Sequence, residues 1–576
     1  MSSPLAGLEL VLLCLAVSVG LRLVAERLNV PYASILVVGG LLLALAPGRP
    51  EVALSPEVLF LIFIPPLLYA GAIAFPLRDL RRQVGPIFRL SVLMVLVSTA
   101  AVAVVAHALH PAFTWAAAIT LGAIISPPDP VAVLSVMRSL RLPREIQSIL
   151  EGEGLVNDAT ALVTYRFAVA AVVTGAFSAS HAALQFLISA AGGVAIGLLL
   201  GLVIVQVARI TRVVPVVTNT VSLLTPFASY LLADFAGTSG VLSVLATGLF
   251  VARRAPTIIG AEARLQIDGM WRVVSFMLES LVFIIVGLEL PYVARALNTL
   301  PLTMLVGEAL IVSACVVLIR IAWAMPTTYI FRILGRLIGL GNDPLPSWRT
   351  VLFIAWAGLR GGDSLVLALA LPLYTSSGAP FPARDQIIFI TFCVIFITLV
   401  VQGPTLAPVA RLLHIGADED EAAEEAHARL AAAEAGLRQL EDPAIASATY
   451  PEVVRYLRQR NRQRARRWAA WEEKAGDAHH ELESTDAHHE HFTVAPSHEA
   501  AVIDEKRADE YRRVRSAMLA AEQREITELR DRGVIGDDVM RRIQRELDME
   551  TMLLETGEPV TDTVGEVLSA IDAASK

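Results

Sequence analysis

The sequence predicts an all-α membrane protein: about thirteen transmembrane helices with two inverted six-helix repeats and two broken helices, followed by a helical tail. Three observations lead there. Hydrophobic residues make up 55% of the chain. Apolar runs of about 20 residues, enough to cross a hydrocarbon core of ~30 Å, recur as far as residue 415. Charge then divides the chain: residues 1–415 hold 25 Arg and Lys against 19 Asp and Glu, whereas residues 416–576 hold 22 against 36. A net positive apolar part joined to an acidic, strongly charged tail predicts two domains, 1–415 in the membrane and 416–576 outside it.

The apolar runs place spans at 7–25, 31–47, 55–76, 84–109, 113–137, 146–177, 182–208, 213–234, 236–252, 269–291, 301–331, 349–374 and 386–413. The first run lacks the basic start and small-residue cleavage site of a signal peptide. Arg78, Arg81 and Arg82 follow span three, and Arg138, Arg141 and Arg144 follow span five. Arg209 and Arg212 follow span seven, Arg253 and Arg254 span nine, and Arg332 and Arg336 span eleven. The intervening loops carry only Arg49, Arg295 and Arg384. The positive-inside rule therefore puts each odd-numbered span's end in the cytoplasm, the amino terminus outside and the tail inside a cell (plasma) membrane. Cys14, Cys315 and Cys393 lie far apart in apolar runs and read as small apolar filler.

The tail reads as soluble and largely helical. Asp418–Glu441 is rich in helix formers with recurrent apolar positions. The basic stretch Arg455–Trp468 has two readings, a surface for anionic lipid headgroups and a solvated face paired with the tail's own acids. The His-rich segment near 477–498 reads as a flexible linker, with metal binding or pH sensing as the alternative. Gly533 and Gly536 mark a turn before the amphipathic Val539–Glu555. Nothing in the tail resembles a catalytic site, so regulation or dimer contact is its expected role.

Charged residues inside the spans carry the functional signal, because an ionisable group at membrane depth costs at least ~2.5–3.5 kcal/mol. In span five, "SPPDPVAV" (Ser126–Val133) surrounds Asp129 with prolines, which must break or kink the helix and expose carbonyls suited to a cation. In span six, "EGEGLVNDATALV" (Glu151–Val163) sets Glu153 and Asn157 on one helix face, with Asp158 beside Asn157. A water-accessible carboxylate flanked by an amide can hold a proton or a small cation. Arg320 in span eleven and Arg360 in span twelve need acidic or carbonyl partners, for which Glu153, Asp129 and Asp363 are available. Gly358, Gly361 and Gly362 make span twelve a second interrupted helix. Two six-span halves separated by span seven put spans five and twelve in corresponding positions, the inverted-repeat pattern of secondary transporters. Arg166, two turns past Asp158, calls for an acidic partner such as Glu279.

At these residues the sequence resembles the monovalent cation/proton antiporters, which include bacterial Na⁺/H⁺ antiporters and animal sodium/proton exchangers. The marks, over residues ~5–415, are "DPVAV" (Asp129–Val133), the Glu151–Val163 segment, "GLRG" (Gly358–Gly361) with "SLVLALALP" after it, and "FITLVVQGPTLAP" (Phe396–Pro408). The resemblance implies that Asp158 is the shared proton and cation carboxylate, with Asn157 its neighbour in the signature pair. It implies that Glu153 pairs with Arg320 to hold Asn157, and that Asp129 contributes where two broken helices cross, with Arg360 nearby. The Asn–Asp pair implies electroneutral one-for-one exchange by a homodimer working by alternating access. No cofactor and no nucleic acid are implied; the ligands are transported Na⁺, Li⁺ or K⁺ and H⁺.

The chain departs from the family pattern at four places. Ala70 follows "PPLLY" where some members have an acid, and Gly154 stands where a serine is common. Pro128, often threonine, offers only its carbonyl as a cation ligand. Asp363 stands where an apolar residue is commoner and is expected to pair with Arg360. With fewer oxygen ligands, K⁺/H⁺ exchange stays open beside Na⁺/H⁺ exchange. A sodium-coupled solute symporter on a related scaffold is disfavoured by the sparse aromatics, 6% of the chain. An intramembrane hydrolase would need a nucleophile paired with a base, and His107 and His110 have no motif linking them to one.

Overall fold

Apolar helices lead the chain order, so the fold is built from helix packing. The computed structural model describes residues 4–28, 31–45, 56–75, 84–110, 113–129, 133, 142–175, 179–211, 214–296, 301–337, 346–415, 419–446, 450–476 and 498–555. Among the described residues there is no strand, only an isolated bridge between Tyr374 and Pro380. The chain forms two compact units. One comprises Met1–Thr211, Val216–Ile258 and Ile267–Ala417; the other comprises Arg212–Pro215, Ile259–Gln266 and Asp418–Lys576.

The first unit begins with α1 (Pro4–Leu28), α2 (Tyr32–Ala44) and α3 (Pro56–Ala74), the last carrying Pro65 and Pro66 inside it. A short α4 (Val84–Phe88) leads through a π-helical turn, Arg89–Leu93, into α5 (Met94–Leu109). Then come α6 (Trp115–Ile125), α7 (Arg144–Thr174), α8 (Ala179–Thr211), α9 (Pro215–Phe235), α10 (Gly240–Ile258) and α11 (Ala261–Ala296). The long α12 (Leu302–Leu337) is followed by two short helices, α13 (Trp348–Trp356) and α14 (Gly362–Leu369). The unit closes with α15 (Arg384–Phe396), a second π-helical turn at Ile397–Gln402 and α16 (Leu406–Leu412).

Among the described residues, seven helical stretches are long and apolar enough to cross a membrane: Gly85–Leu109, Ile146–Thr174, Leu187–Ile210, Pro215–Phe235, Ala261–Leu288, Thr303–Leu334 and Arg384–Leu412. Three shorter apolar helices, Tyr32–Ala44, Phe60–Ala74 and Trp115–Ile125, accompany them. Side-chain exposure separates the faces. Leu199, Leu202 and Val203 on α8, and Leu310 and Leu318 on α12, are exposed. In water, such stripes would form an aggregation-prone surface; in hydrocarbon they are the natural outer face. Inward, Leu121, Ile124 and Ile125 of α6 pack with Val312 and Val316 of α12 in one core cluster. Phe353 and Ile354 of α13 pack with Ile395 and Leu399 in another.

Two breaks interrupt this packing, each where the sequence supplies the cause. After α6 the chain leaves helix at Ser126, and Pro127 and Pro128 cannot donate to the preceding turn. Between α13 and α14, residues Ala357–Gly361 are non-helical, with Gly361 extended at φ −108°, ψ −177°. The breaks meet: the Asp129 amide donates to the Leu359 carbonyl across 2.7 Å. Backbone groups freed by one break are thus satisfied by the other, as they must be away from water. Residues 130–132, Arg49, Arg78, Arg81, Arg82, Arg138, Arg141 and Arg212 lie outside the described residues.

The tail's own helices are α17 (Glu419–Gln439), α18 (Pro443–Ala446), α19 (Pro451–Gly476), α20 (His498–Arg532) and α21 (Asp537–Glu555). Leu519, Ile526 and Leu529 of α20 pack against Val539, Ile543 and Leu547 of α21. Val453 and Leu457 of α19 meet Tyr511, Val514 and Met518 of α20. Gly533, at φ 86°, makes the turn between α20 and α21 that a side chain would strain. The basic stretch of α19 contributes inward as well as outward. Arg464 pairs with the fully buried Glu522, while Arg455, Arg462, Arg466 and Arg467 are exposed. Arg515 bridges Glu522 at 2.8 Å and Glu550 at 2.7 Å. Residues 477–497 of the His-rich segment lie outside the described residues.

Candidate ion-binding site

The site forms where α7 passes the two breaks. Glu153 and Asn157 lie one turn apart on α7, and both are buried, at 1% and 0% exposure. The Asn157 Nδ2 donates to the Pro128 carbonyl at 2.9 Å, so this amide ties α7 to the break after α6. Its Oδ1 is enclosed with no hydrogen-bond partner. Asp158, the next residue, is half-buried, and so are Asp129 and Asp363.

Arg320 reaches this region from α12. Its Nη2 donates to Glu153 Oε2 at 2.7 Å, and Nη1 closes the fork on Oε1. Nε and Nη2 also donate to the carbonyls of Ala355 and Ile354, at 3.0 and 3.2 Å, in the last turn of α13. A buried guanidinium is tolerated when its donors are taken up in this way. Gly358 makes room, since a Cβ there would strike the Arg320 side chain. The Glu153 backbone carbonyl accepts from Ser91 Oγ at 3.1 Å, in the first π-helical turn.

The expected Arg360–Asp363 pair is not formed. Arg360 is fully buried, its Nη1 donates to the Ser126 carbonyl, and its Nε and Nη2 have no hydrogen-bond partner. The extended backbone at Gly361 separates the two residues, leaving Arg360 against the α6 break and Asp363 in the first turn of α14. A Cβ on Gly361 would collide with the Asp129 carboxylate, so Asp129 packs directly on the second break. Arg166 also differs from expectation: it donates to Tyr230 Oη at 2.9 Å and lies 3.8 Å from Asp234, both on α9, rather than pairing with Glu279. His107 Nδ1 donates to the Phe113 carbonyl at 2.7 Å, and the ring stacks on Trp115.

Sequence reasoning missed several supporting residues. Thr398 Oγ1 accepts from the Arg360 amide at 3.1 Å, and Ser126 Oγ accepts from Thr99 at 3.1 Å. Thr398 lies in the "FITLVVQGPTLAP" stretch, so the motif was visible although its contact was not. Among the described residues, no group of three or more His, Cys, Asp or Glu could hold a metal ion.

A multi-pass helical bundle that encloses charged side chains where two interrupted helices meet belongs to the class of secondary membrane transporters. Comparison with known proteins sharpens this. Residues 12–412 match the model of the family described as sodium/hydrogen exchanger, transmembrane. The chain belongs to the sodium/hydrogen exchanger family, whose members are cation/proton antiporters. It is 34% identical over 553 residues to an uncharacterised Na⁺/H⁺ exchanger of Mycobacterium tuberculosis, covering 95% of each chain. It is 33% identical over 391 residues to a sodium, potassium, lithium and rubidium/H⁺ antiporter of Bacillus pumilus, covering 66% of this chain and 57% of that one. In fold it is similar to the sodium proton antiporter MjNhaP1 of Methanocaldococcus jannaschii, with a TM-score of 0.50 at 20% identity, over 70% of this chain and 98% of that one.

Proposed function

We propose that the protein exchanges Na⁺ for protons by competition at Asp158, through alternating access of that site to the two sides of the membrane. The observation that carries this reading is the Asn157–Pro128 hydrogen bond, which ties the helix bearing Asp158 to the break bearing Asp129. The carboxylate there is half-buried and stands next to the Asn157 amide. When a proton arrives the cation loses its counter-charge and leaves; when a cation arrives the proton does. The empty site, ionised and dehydrated, is too costly to cross, so the movements stay coupled.

In this reading Asp158 and Asp129 supply charged ligands, with Asn157 and the Pro128 carbonyl beside them. Glu153 and Arg320 hold one another in a buried ion pair, and Arg360 braces the helix crossing. The full architecture is thirteen spans in two inverted repeats with an outside amino terminus, residues 1–415 forming the transport domain. Residues 416–576 form a cytoplasmic regulatory tail, and the working unit is a homodimer. K⁺/H⁺ exchange is the second reading, favoured by Pro128 and Gly154, which offer no side-chain oxygen.

The test is proton flux in reconstituted vesicles with Na⁺, Li⁺ and K⁺ in turn. Asp158→Asn abolishes exchange for every cation while leaving the protein folded and inserted. Cation-dependent proton flux surviving in that variant would remove the shared-carboxylate mechanism, and K⁺ outcompeting Na⁺ in the parent would select the second reading.

A further inference from the structure

Arg166 is a charged residue of the helix that bears Asp158, and the exchange reaction itself gives it no part. It lies two turns past Asp158 on α7, about 12 Å further along the helix. Its Nη2 donates to Tyr230 Oη at 2.9 Å, and Asp234 stands 3.8 Å away. Tyr230 and Asp234 are one turn apart at the end of α9, so a hydroxyl and a carboxylate meet the guanidinium together. The Tyr230 ring is a fixed post. It is buried, lies 5.7 Å from the Phe60 ring of α3, and would be struck by a Cβ on Gly240 of α10.

The two ends of this contact belong to separately tied groups of helices. Asn157 holds α7 to the break after α6, and Glu153 holds it to Arg320 of α12. In contrast, α9 is held to α10, where Ser229 Oγ hydrogen-bonds Ser243 Oγ at 2.8 Å and Thr247 Oγ1 at 2.9 Å. It is also held to α11, whose Trp271 Nε1 donates to Ser222 Oγ at 3.0 Å. Alternating access moves the helix bearing the site against helices that stay, so a bond between the two groups belongs to one arrangement and breaks in the other. The Arg166 contact is weak enough for that. The Arg166 and Asp234 side chains are 41% and 54% exposed, so they part without leaving an enclosed charge, whereas the enclosed Glu153–Arg320 pair stays shut.

We propose that Arg166 is a latch on the access step: its bond to Tyr230 and Asp234 closes the outer end of the path to Asp158 and is released once in each cycle. This rests on Asp158 as the transport carboxylate and on an outside amino terminus, which puts Thr174 and Phe235, the last residues of α7 and α9, at the outer side. Arg166 is a positioning residue and touches no transported ion. Removing the latch destabilises the outward-closed arrangement alone, so the share of molecules open to the outside rises. Apparent affinity scales with the share of molecules that present the site. KM for Na⁺ therefore falls at the outer face and rises by less at the inner one.

Exchange is measured in right-side-out and inside-out membrane vesicles carrying parent, Arg166→Gln, Arg166→Lys, Tyr230→Phe or Asp158→Asn protein. Arg166→Gln lowers the outer KM for Na⁺ about fivefold, the scale of one hydrogen bond at a half-exposed site. Tyr230→Phe, which loses just the hydroxyl, acts in the same direction, and joining the two changes adds little. Arg166→Lys keeps the charge and recovers most of the parent value. Should Arg166→Gln fail to insert, Tyr230→Phe is read by itself. Parent-like KM at both faces overturns the latch, as does lower flux at unchanged KM, the mark of a residue that merely holds the fold. A fall in KM at the inner face instead overturns its outward placement. Exchange by Asp158→Asn would overturn the underlying reading, so the failures are distinguishable.

Discussion

Asn157 and Pro128 lie 29 residues apart, yet the amide Nδ2 of one donates to the carbonyl of the other across 2.9 Å. Pro128 sits in the helix break, where its carbonyl has lost the helical partner that a continuous span would provide. The Asn157 amide takes that place. The same residue is next to Asp158, so one hydrogen bond sets the distance between the helix break and the carboxylate.

Asn157→Ala therefore leaves the Pro128 carbonyl buried without a donor, at a cost of about 1–3 kcal/mol. Exchange falls with stability because Asp158 is no longer held against the break. Thermal unfolding in detergent with flux in vesicles checks both. A variant with parent-like stability and flux would show that the bond positions nothing.

Glu153 and Arg320 give a second prediction. With both charges enclosed, removing one leaves the other uncompensated, at roughly 3–5 kcal/mol, whereas removing both restores much of the loss. Arg320→Ala is thus more damaging than Arg320→Lys, and Glu153→Gln with Arg320→Gln is milder than the sum of its parts. A thermal-stability cycle that is simply additive would deny the coupling.

The legible and illegible parts of this site divide by the range of the interaction. Proline removes a backbone donor wherever it stands, so Pro127 and Pro128 announced their break locally. Gly358, Gly361 and Gly362 did likewise. Arg360 and Asp363 were misread for the complementary reason: three residues apart is a pairing distance only on a continuous helix, and the extended Gly361 falls between them. The π-helical turns at Arg89–Leu93 and Ile397–Gln402 left no sequence sign, because the apolar pattern runs through them unbroken. Their polar residues, Ser91 and Thr398, gain meaning only from partners on distant helices. Arg166 was recognised as needing a partner, but Tyr230 and Asp234 are supplied by a helix whose placement is a tertiary matter.

In the tail, acid sensitivity follows from Glu550. Burial pushes its carboxyl up, but the hydrogen bond and charge of Arg515, with Arg460 and Arg464 beyond, outweigh burial and leave it below its ordinary value. A carboxylate depressed in the folded state contributes stability above its unfolded value and loses it as pH falls through the folded one. Hydrogen exchange of α20 and α21 in the full-length protein thus quickens in acid, below the usual carboxylate range. Glu550→Gln weakens the tail at neutral pH and blunts that acid step. An unchanged acid profile in this variant would place the titration elsewhere.

Stoichiometry follows from which charges are free to change. Glu153 is held by Arg320 in a two-pronged pair. Asn157 cannot ionise. If Asp158 is the one group that trades a cation for a proton, the site has the same net charge in both loaded states and no charge crosses per cycle. Membrane potential then adds nothing to the driving force, although 100 mV would be worth ~2.3 kcal/mol for each uncompensated charge. Vesicles clamped by a potassium-diffusion potential, with no pH or Na⁺ gradient, accumulate no Na⁺ at any imposed voltage. Uphill Na⁺ movement driven by voltage alone would mean that a second carboxylate, Asp129 or Asp363, takes up a proton in the same cycle, and exchange would then be two protons for one cation.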